Sequence, residues 1–168
     1  MEYYNEIAQG YNELHKAEQL NKIRIICSEY DFSNKKILDI GCGPGYILGY
    51  LIENNVKFKE YTGIDPSVEL MKLNKHYNNK NSNNIKFIKS RIEEYKLNKV
   101  DVIIIISSIH HFDDINIIKE LKKYAKSFIF SVYKRSRKFN EIKRIIKQNF
   151  KVKKIISERK DVIYFLGR

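Results

Sequence analysis

The amino-acid sequence predicts an α/β fold of three layers, in which helices cover both faces of a seven-stranded, mostly parallel sheet. Short apolar runs of strand length alternate along the chain with segments of helical periodicity, and this alternation is typical of parallel sheets. The last two predicted strands are separated only by Glu158-Arg159-Lys160-Asp161. So short a connection predicts a C-terminal hairpin, which adds one antiparallel strand to the sheet.

The first part of the chain alternates between helix and strand. Apolar residues at helical spacing predict a helix from Tyr3 to about Tyr30, which we expect Gly10 to break into two pieces. Lys36–Ile40 is a short apolar strand that runs into glycines, and an apolar stripe predicts a helix over Tyr46–Asn54. Lys59–Ile64 is the second predicted strand.

The rest of the chain continues the alternation. Asp65-Pro66-Ser67 is expected to open a helix with Pro66 at its first position. The polar run Asn78–Asn84 predicts a loop. The remaining strands are predicted at Ile85–Ile88, Val100–Ile106, Ser127–Val132, Lys151–Ser157 and Val162–Leu166, and the remaining helices at Ile115–Tyr124 and Lys138–Asn149.

The length of 168 residues and the lack of an internal repeat or linker predict a single domain over residues 1–168, with an N-terminal helical segment (1–30) and a basic C-terminal part (134–168). No apolar run approaches the ~18–20 residues of a membrane span, and the start of the chain does not resemble a signal peptide. Cys27 and Cys42 give neither a disulfide framework nor the ligand spacing of a metal site. We therefore expect no metal and a reducing, cytoplasmic setting.

The net charge of +12 is concentrated in the last third of the chain. Residues 1–115 carry 15 Lys and Arg against 16 Asp and Glu, whereas residues 116–168 carry 17 against 4. A codon bias would spread the excess evenly. The asymmetry indicates a polyanionic partner, and the alternative is a solvated basic face.

The glycines of Gly41-x-Gly43-x-Gly45 follow a predicted strand and precede a predicted helix. Glycines let the backbone approach a ligand closely, and the start of a helix presents free N–H groups. Asp65 ends the next strand, where a carboxylate can accept hydrogen bonds from both ribose hydroxyls of an adenosyl group. This pattern predicts a cofactor that contains adenosine.

Two cofactor sites fit such a pattern, that of a dinucleotide dehydrogenase and that of an S-adenosylmethionine enzyme. The dehydrogenase fingerprint is G-x-G-x-x-G, whereas here the third glycine comes one position early and Pro44 lies within the loop. Asp39 stands two residues before the first glycine. A carboxylate there suits a ligand with an ammonium group and would repel a pyrophosphate, which favours S-adenosylmethionine.

The sequence resembles the class I S-adenosylmethionine-dependent methyltransferases along nearly its whole length. Leu38–Gly45 is similar to the first motif of that family and Tyr61–Ser67 to the second. Lys99–Ile103, with the Ile109-His110-His111-Phe112 that follows, is similar to the fourth. The resemblance implies a Rossmann-like methyltransferase fold, S-adenosyl-L-methionine as cofactor and S-adenosyl-L-homocysteine as product.

The resemblance also implies which residues hold the cofactor. Asp39 would face the methionine amino group, the glycine loop would cradle the methionine part, and Asp65 would hold the ribose. Tyr11 is similar to a tyrosine that closes over the cofactor in relatives, although it could instead pack on the core. The implied cofactor-binding residues are Tyr11, Asp39, Gly41, Cys42, Gly43, Gly45, Asp65, Pro66, Arg91, Ile92 and Ser107.

The third motif departs from the family pattern. In many relatives it reads Gly-Asp-Ala, and the Asp contacts the adenine amine. Ser90, Arg91 and Ile92 stand at those positions here. Because the carboxylate is absent from this motif, the backbone around Ile92 and its apolar side chain are expected to hold the adenine.

His110 and His111 are the candidate catalytic residues, since a histidine at the end of the fourth strand can take a proton from a nucleophile. The alternative is that they shape the pocket. The sequence has no Asp/Asn-Pro-Pro-aromatic motif after the fourth strand, which argues against methylation of the adenine amine. It has no cysteine from there on, which argues against covalent attack on a pyrimidine carbon.

The basic last third is predicted to flank the cofactor on the same rim of the sheet. The residues predicted to bind substrate are Lys134, Arg135, Arg137, Lys138, Arg159 and Lys160. Such a cationic surface is what a phosphate backbone requires, so the sequence favours RNA, and tRNA in particular, as the substrate. The alternatives are a small-molecule or lipid methyltransferase and a non-catalytic cofactor-binding subunit that docks on a partner. A small activating protein subunit is a further candidate partner.

Overall fold

A seven-stranded sheet forms the centre of the protein. The computed structural model describes residues 8–73 and 83–168, with side chains from Lys16 onward. The strands are β1 (Lys36–Ile40), β2 (Glu60–Asp65), β3 (Ile85–Lys89), β4 (Val102–Ile106), β5 (Ser127–Tyr133), β6 (Lys151–Ser157) and β7 (Asp161–Gly167). Their order is β3-β2-β1-β4-β5-β7-β6, and β1 to β5 pair in parallel. β7 is antiparallel to both β5 and β6, so the predicted sheet and its C-terminal hairpin are confirmed.

Helices cover both faces of this sheet. They are α1 (Ala8–Glu29), α2 (Tyr46–Glu53), α3 (Val68–Lys72), a short 3₁₀ helix (Ile109–His111), α4 (Ile117–Leu121) and α5 (Phe139–Asn149). The apolar residues of α1 and α2 pack on one face, and those of α4 and α5 pack on the other. None of the described helices is long and apolar enough to cross a membrane.

β4 illustrates why the sheet needs both helical layers. Val102 and Ile104 pack in the cluster of α1 and α2, while Ile103 and Ile105 pack in the cluster of α4 and α5. All four side chains are fully buried. Successive side chains of a strand point to opposite faces, so a continuous apolar run is buried only between two layers.

Two features of the helices differ from the prediction. The expected break at Gly10 is wrong, because α1 runs without interruption from Ala8 to Glu29. A glycine inside a helix costs about 1 kcal/mol, and the burial of Ile23 and Ile26 offsets that cost. At α3, the Ser67 hydroxyl accepts the Leu70 N–H at 3.3 Å and caps the helix. Pro66 therefore lies before the cap and not at the first helical position.

The helix predicted over Ile115–Tyr124 is shorter in the structure. α4 begins at Ile117 because Asp114 accepts both the backbone N–H and the side-chain amide of Asn116, which closes a turn before the helix. The predicted start of the first helix at Tyr3, and most of the loop Asn78–Asn84, lie outside the described residues.

Candidate active site

A cavity of about 320 Å³ opens at the carboxyl ends of β1 to β4. The sheet order explains its position, because the chain leaves β1 and β4 in opposite directions and a crevice remains between them. Small-molecule and cofactor pockets typically enclose ~300–1,000 Å³, so the cavity is large enough for a nucleoside. Its walls come from the segments after the four strands, and they include Gly41, Gly43, Asp65, Pro66, Ser90, Arg91, Ile92, Glu93, Ser107, Ser108, His111, Phe112 and Asp113.

The glycine loop follows β1 and lines this cavity. Gly41 has a φ of +74°, and a Cβ there would lie 2.4 Å from the Ser108 hydroxyl oxygen. Gly43 has a φ of +49°, but its Cβ would meet only a Leu70 methyl group at 3.9 Å. Gly41 is therefore required by packing within the protein, whereas Gly43 faces open space in the cavity.

Asp65 fixes the loop to the end of β2. Its carboxylate accepts the N–H of Gly43 at 2.8 Å and the N–H of Ser67 at 2.7 Å. Burial raises the pKa of Asp65, and the two backbone hydrogen bonds oppose that shift. Since each carboxylate oxygen has two lone pairs, Asp65 retains the capacity to accept ligand hydroxyls in the cavity that it lines.

Asp39 lies deeper, at a smaller cavity of about 40 Å³. The two cavities share Gly41, Gly43 and Ile106 as lining residues, so they meet at the glycine loop. The Tyr61 hydroxyl donates to the Asp39 carboxylate at 2.6 Å. Burial raises the pKa of Asp39 to about 7, and the nearby Asp65 adds to the rise. The two carboxylates thus lie on the same side of the molecule.

The structure assigns different positions to the other predicted cofactor residues. Those that line the main cavity are Pro66, Arg91, Ile92 and Ser107. Cys42 lines the smaller cavity, and burial raises the pKa of its thiol. Gly45 caps α2 with a φ of +73° and is not among the lining residues of either cavity. The side chain of Tyr11 lies outside the described residues, so its role as a lid stays a prediction.

The two histidines of the 3₁₀ helix have different surroundings. His111 lines the main cavity, and the His110 ring contacts it with 4.0 Å between ring centroids and a tilt of 43° between the ring planes. Burial and the neighbouring His111 lower the pKa of His110 to about 4. Desolvation and Lys138 also lower the pKa of His111. Both rings are therefore neutral near pH 7, and only His111 contacts the cavity.

A buried ionic cluster, which sequence reasoning missed, lies next to the cavity. The Lys22 ammonium, 1% exposed, donates to the Ser107 hydroxyl at 2.7 Å and to the Asp161 carboxylate at 3.2 Å. Asp161 also accepts the hydroxyls of Ser107 and Ser131. Lys22 stands beside Ile23 in a helix whose apolar spacing predicted no buried charge, so the sequence pattern gave no signal for it.

The six predicted substrate-binding residues form two sets. Three are engaged within the protein, since Lys134 donates to the Glu158 carbonyl, Lys138 to the Phe112 carbonyl and Lys160 to the Glu18 carboxylate. The other three are exposed, and in the described part of the chain they form no ion pair or side-chain hydrogen bond. These are Arg135, Arg137 and Arg159, which we call the rim arginines.

No group of three or more histidines, cysteines or acidic residues within the described ranges is arranged to hold a metal ion. The polar side chains that line the cavity in the described part of the chain carry carboxylates, hydroxyls, a guanidinium and an imidazole. This set suits an organic ligand that carries hydroxyl and amine donors.

Sequence comparison relates the chain to methyltransferases. The family model described as a methyltransferase domain matches residues 38–127. A tRNA U34 carboxymethyltransferase of Nautilia profundicola is 37% identical over 112 residues, which cover 60% of this chain and 34% of that protein. A ubiquinone biosynthesis O-methyltransferase of Rickettsia canadensis is 29% identical over 126 residues, which cover 67% of this chain and 52% of that protein. The chain thus spans between about a third and about a half of the length of these curated relatives.

Structure comparison shows the same fold in a solved protein. A chain in the complex between the Haloferax volcanii Trm112 methyltransferase activator and a methyltransferase superposes with a TM-score of 0.80 at 12% identity. The match covers 98% of this chain and 96% of that chain.

Proposed function

The chain belongs to the family of methyltransferase domains, as its motifs predicted, and on that premise we propose that it is an S-adenosylmethionine-dependent methyltransferase that acts on RNA, with tRNA as the favoured substrate. The observation that carries the RNA proposal is the set of exposed rim arginines, which lie at the same end of the sheet as the cavity. Within the described residues these guanidinium groups have no protein partner, so they are available for phosphate, which they bind in bidentate geometry.

The cavity supports S-adenosylmethionine by its size and its polar groups. Asp65, at the end of β2, would accept the ribose hydroxyls, and the open space at Gly43 would admit the methionine part. Asp39, at the inner cavity, would hold the ammonium group. Ile92 and Phe112 supply apolar walls for the adenine. An ammonium beside Asp39 would favour its charged form and so reverse the effect of burial on its pKa.

Bound S-adenosylmethionine would supply an electrophilic methyl group on its sulfonium. The chain would orient the nucleophile at the carboxyl end of β4 and exclude water from it. His111 is the proton acceptor that the geometry favours if the nucleophile carries a proton, because it lines the cavity and its ring is neutral. His110 would support the His111 ring.

Two hydrogen bonds hold the loops that carry the rim arginines in place near the cavity. Lys138 donates to the Phe112 carbonyl at 2.7 Å, so the loop that bears Arg135 and Arg137 rests on the cavity wall. The Lys134 N–H donates to the Lys160 carbonyl at 2.9 Å, which ties that loop to the hairpin of Arg159. A phosphate backbone bound on both loops would pass the mouth of the cavity.

The comparisons support this proposal without naming the substrate of this chain. The relative at 37% identity is named for a tRNA substrate, and its name specifies transfer of a carboxymethyl group. The structural neighbour in complex with an activator supports a small protein subunit as a further partner. The relative at 29% identity keeps a quinone as the second candidate substrate.

Labelled cofactor transfer is the direct test. The protein is incubated with methyl-labelled S-adenosylmethionine and, separately, with total RNA or a lipid extract, and labelled nucleosides are identified. We expect label in tRNA nucleosides. Label in the lipid fraction alone would establish the small-molecule alternative. Cofactor binding without transfer, also in the presence of a co-purifying subunit, would establish the non-catalytic alternative.

Charge reversal on the rim tests the RNA surface. Arg135→Glu with Arg137→Glu should weaken tRNA binding at least ~10-fold and make the log–log salt slope shallower by about 1.4, at ~0.7 for each lost phosphate contact. The matched control is Lys126→Glu with Lys151→Glu. Both lysines are exposed at the opposite end of the strands, where β5 and β6 begin. The control should reduce affinity by less than ~3-fold. Equal losses in both double variants, or a loss of cofactor affinity in the first, would contradict the proposal.

A further inference from the structure

The adenine end of the cavity contains a carboxylate that the third motif lacks. Asp113 follows the 3₁₀ helix and lines the cavity together with Ser90, Arg91 and Ile92. The Arg91 guanidinium donates to Asp113 Oδ1 at 2.9 Å. The residue at the usual position of the family carboxylate is thus a cation that holds a carboxylate from another loop.

The exocyclic amine of adenine is a donor and requires an acceptor when it is bound. The Arg91 side chain has only donors, and the Ser90 hydroxyl, which donates to the Arg91 carbonyl at 2.8 Å, can accept only as an uncharged oxygen. Among the described residues, the carboxylates that line this end of the cavity are those of Glu93 and Asp113. Glu93 Oε1 accepts the Asp113 N–H at 3.0 Å, which fixes the backbone at that residue.

Asp113 is the better placed of these two acceptors. Both its backbone N–H and its Oδ1 are held, whereas within the described residues its Oδ2 has no hydrogen-bond partner. The ion pair with Arg91 restricts the rotation of the Asp113 carboxylate, and an ionised acceptor forms a stronger hydrogen bond than a neutral one. Phe112 precedes it and is buried, so the backbone that carries Asp113 is anchored in the core.

We propose that Asp113, oriented by Arg91, accepts the hydrogen bond of the adenine amine and selects adenosyl over inosyl ligands. This inference rests on the proposed binding of S-adenosylmethionine. Arg91 acts as a positioning residue, and the loop after the 3₁₀ helix supplies the group that the third motif has lost. The prediction that the backbone around Ile92 and its apolar side chain hold the adenine is thereby extended.

The test compares two ligands by calorimetry, S-adenosylhomocysteine and S-inosylhomocysteine, in which a carbonyl oxygen replaces the amine. The wild type should prefer the adenosyl ligand about tenfold, since a site built for a donor rejects a ligand that lacks it. Asp113→Asn should lose that preference, mainly through weaker adenosyl binding. Arg91→Met should reduce the preference and Arg91→Lys should restore part of it.

Asp114→Asn is the matched control, because Asp114 is the exposed neighbour that caps the Asn116 turn and does not line the cavity. It should keep the wild-type preference. A preference retained in Asp113→Asn, or lost in Glu93→Gln with Asp113 intact, would overturn the inference while leaving the proposed function in place. A wild type that binds neither ligand would overturn the proposed function, and this inference with it.

Discussion

The two functional regions of the molecule differ in how their charged groups are satisfied. At the cofactor end, Asp39 and Asp65 are buried and each accepts hydrogen bonds from the protein. At the rim, the arginines are exposed and have no protein partner within the described residues. A buried, partnered group is positioned before a ligand arrives, whereas an exposed one attracts its ligand over a distance. The first arrangement suits a small ligand of fixed shape, and the second suits a long polyanion.

The buried ionic cluster connects these regions. Lys22 and Asp161 lie between the wall residue Ser107 and the hairpin that carries Arg159. Lys160 in the same hairpin also pairs with Glu18, which bonds Lys22. The position of the rim relative to the cavity therefore depends on Lys22, Glu18 and Asp161, which are not among the residues assigned to either ligand site.

Lys22→Met should have the largest effect. It leaves the fully buried Asp161 carboxylate without its cation, and breaking a buried pair in this way typically costs about 3–5 kcal/mol. We expect the free energy of unfolding, measured by urea denaturation, to fall by that amount. Asp161→Asn in the Lys22→Met background should recover part of the loss, since it removes the unpaired charge.

Lys16→Met is the matched control for this change, because Lys16 is exposed on the same helix. Its effect should be below about 0.5 kcal/mol. If the free energy of unfolding of Lys22→Met lies within about 0.5 kcal/mol of the wild-type value, the cluster does not hold the two regions together.

Gly43→Val should have the next largest effect, and it should separate the two regions. A β-branched side chain would fill the open space at Gly43 and would strain a residue with φ near +49°. We expect affinity for S-adenosylhomocysteine to fall at least ~100-fold, about 3 kcal/mol, and tRNA affinity to stay within ~3-fold of the wild type. Calorimetry measures the first and fluorescence anisotropy the second.

Gly43→Ala serves as the graded comparison for this prediction. Its Cβ meets only the Leu70 methyl group, at 3.9 Å, so its loss of cofactor affinity should be smaller than that of Gly43→Val. Unchanged cofactor affinity in a folded Gly43→Val protein would refute the assignment of the cavity.

The parts of the fold that the sequence predicted correctly are those with local signals. Lys36–Ile40 and Lys151–Ser157 are strands with the predicted bounds, because apolar runs between turn residues encode strands directly. Gly10 was misjudged because packing along α1 overrides the local weakness of one glycine. The glycine loop and the two carboxylates came from motifs whose spacing reflects backbone geometry.

The parts that the sequence did not predict depend on contacts between distant segments. Lys22 and Asp161 are 139 positions apart, and nothing at either position signals its partner. Asp113 is 22 positions from Arg91, so the loss of a carboxylate from the third motif was visible but its replacement was not. Likewise, six basic residues on the rim look equivalent in sequence, and only the structure separates the three engaged lysines from the three rim arginines.

The burial of Asp39 at the cofactor end can be tested by the pH dependence of protein stability. Its pKa in the folded protein is about 7, against 3.8 for an ordinary aspartate. Between these values the folded state holds a proton that the unfolded state does not, so stability decreases as pH rises from about 4 and levels off above about 7. The carboxylate at this position therefore destabilises the free protein at neutral pH, and binding of an ammonium group would compensate for it.

Asp39→Asn should consequently stabilise the protein while weakening its ligand. At pH 8 we expect the free energy of unfolding to rise by about 1–2 kcal/mol, with a difference that vanishes near pH 4, and affinity for S-adenosylhomocysteine to fall about tenfold through loss of the charge partner. For the wild type, affinity should increase between pH 5.5 and 7.5 as Asp39 loses its proton. Asp31→Asn is the control, and it should lower the free energy of unfolding at pH 8 instead of raising it, because the Ser33 N–H lowers the pKa of that exposed carboxyl. A variant that is less stable than the wild type at pH 8, or a cofactor affinity independent of pH in the wild type, would mean that Asp39 is a structural residue and that the ammonium binds elsewhere.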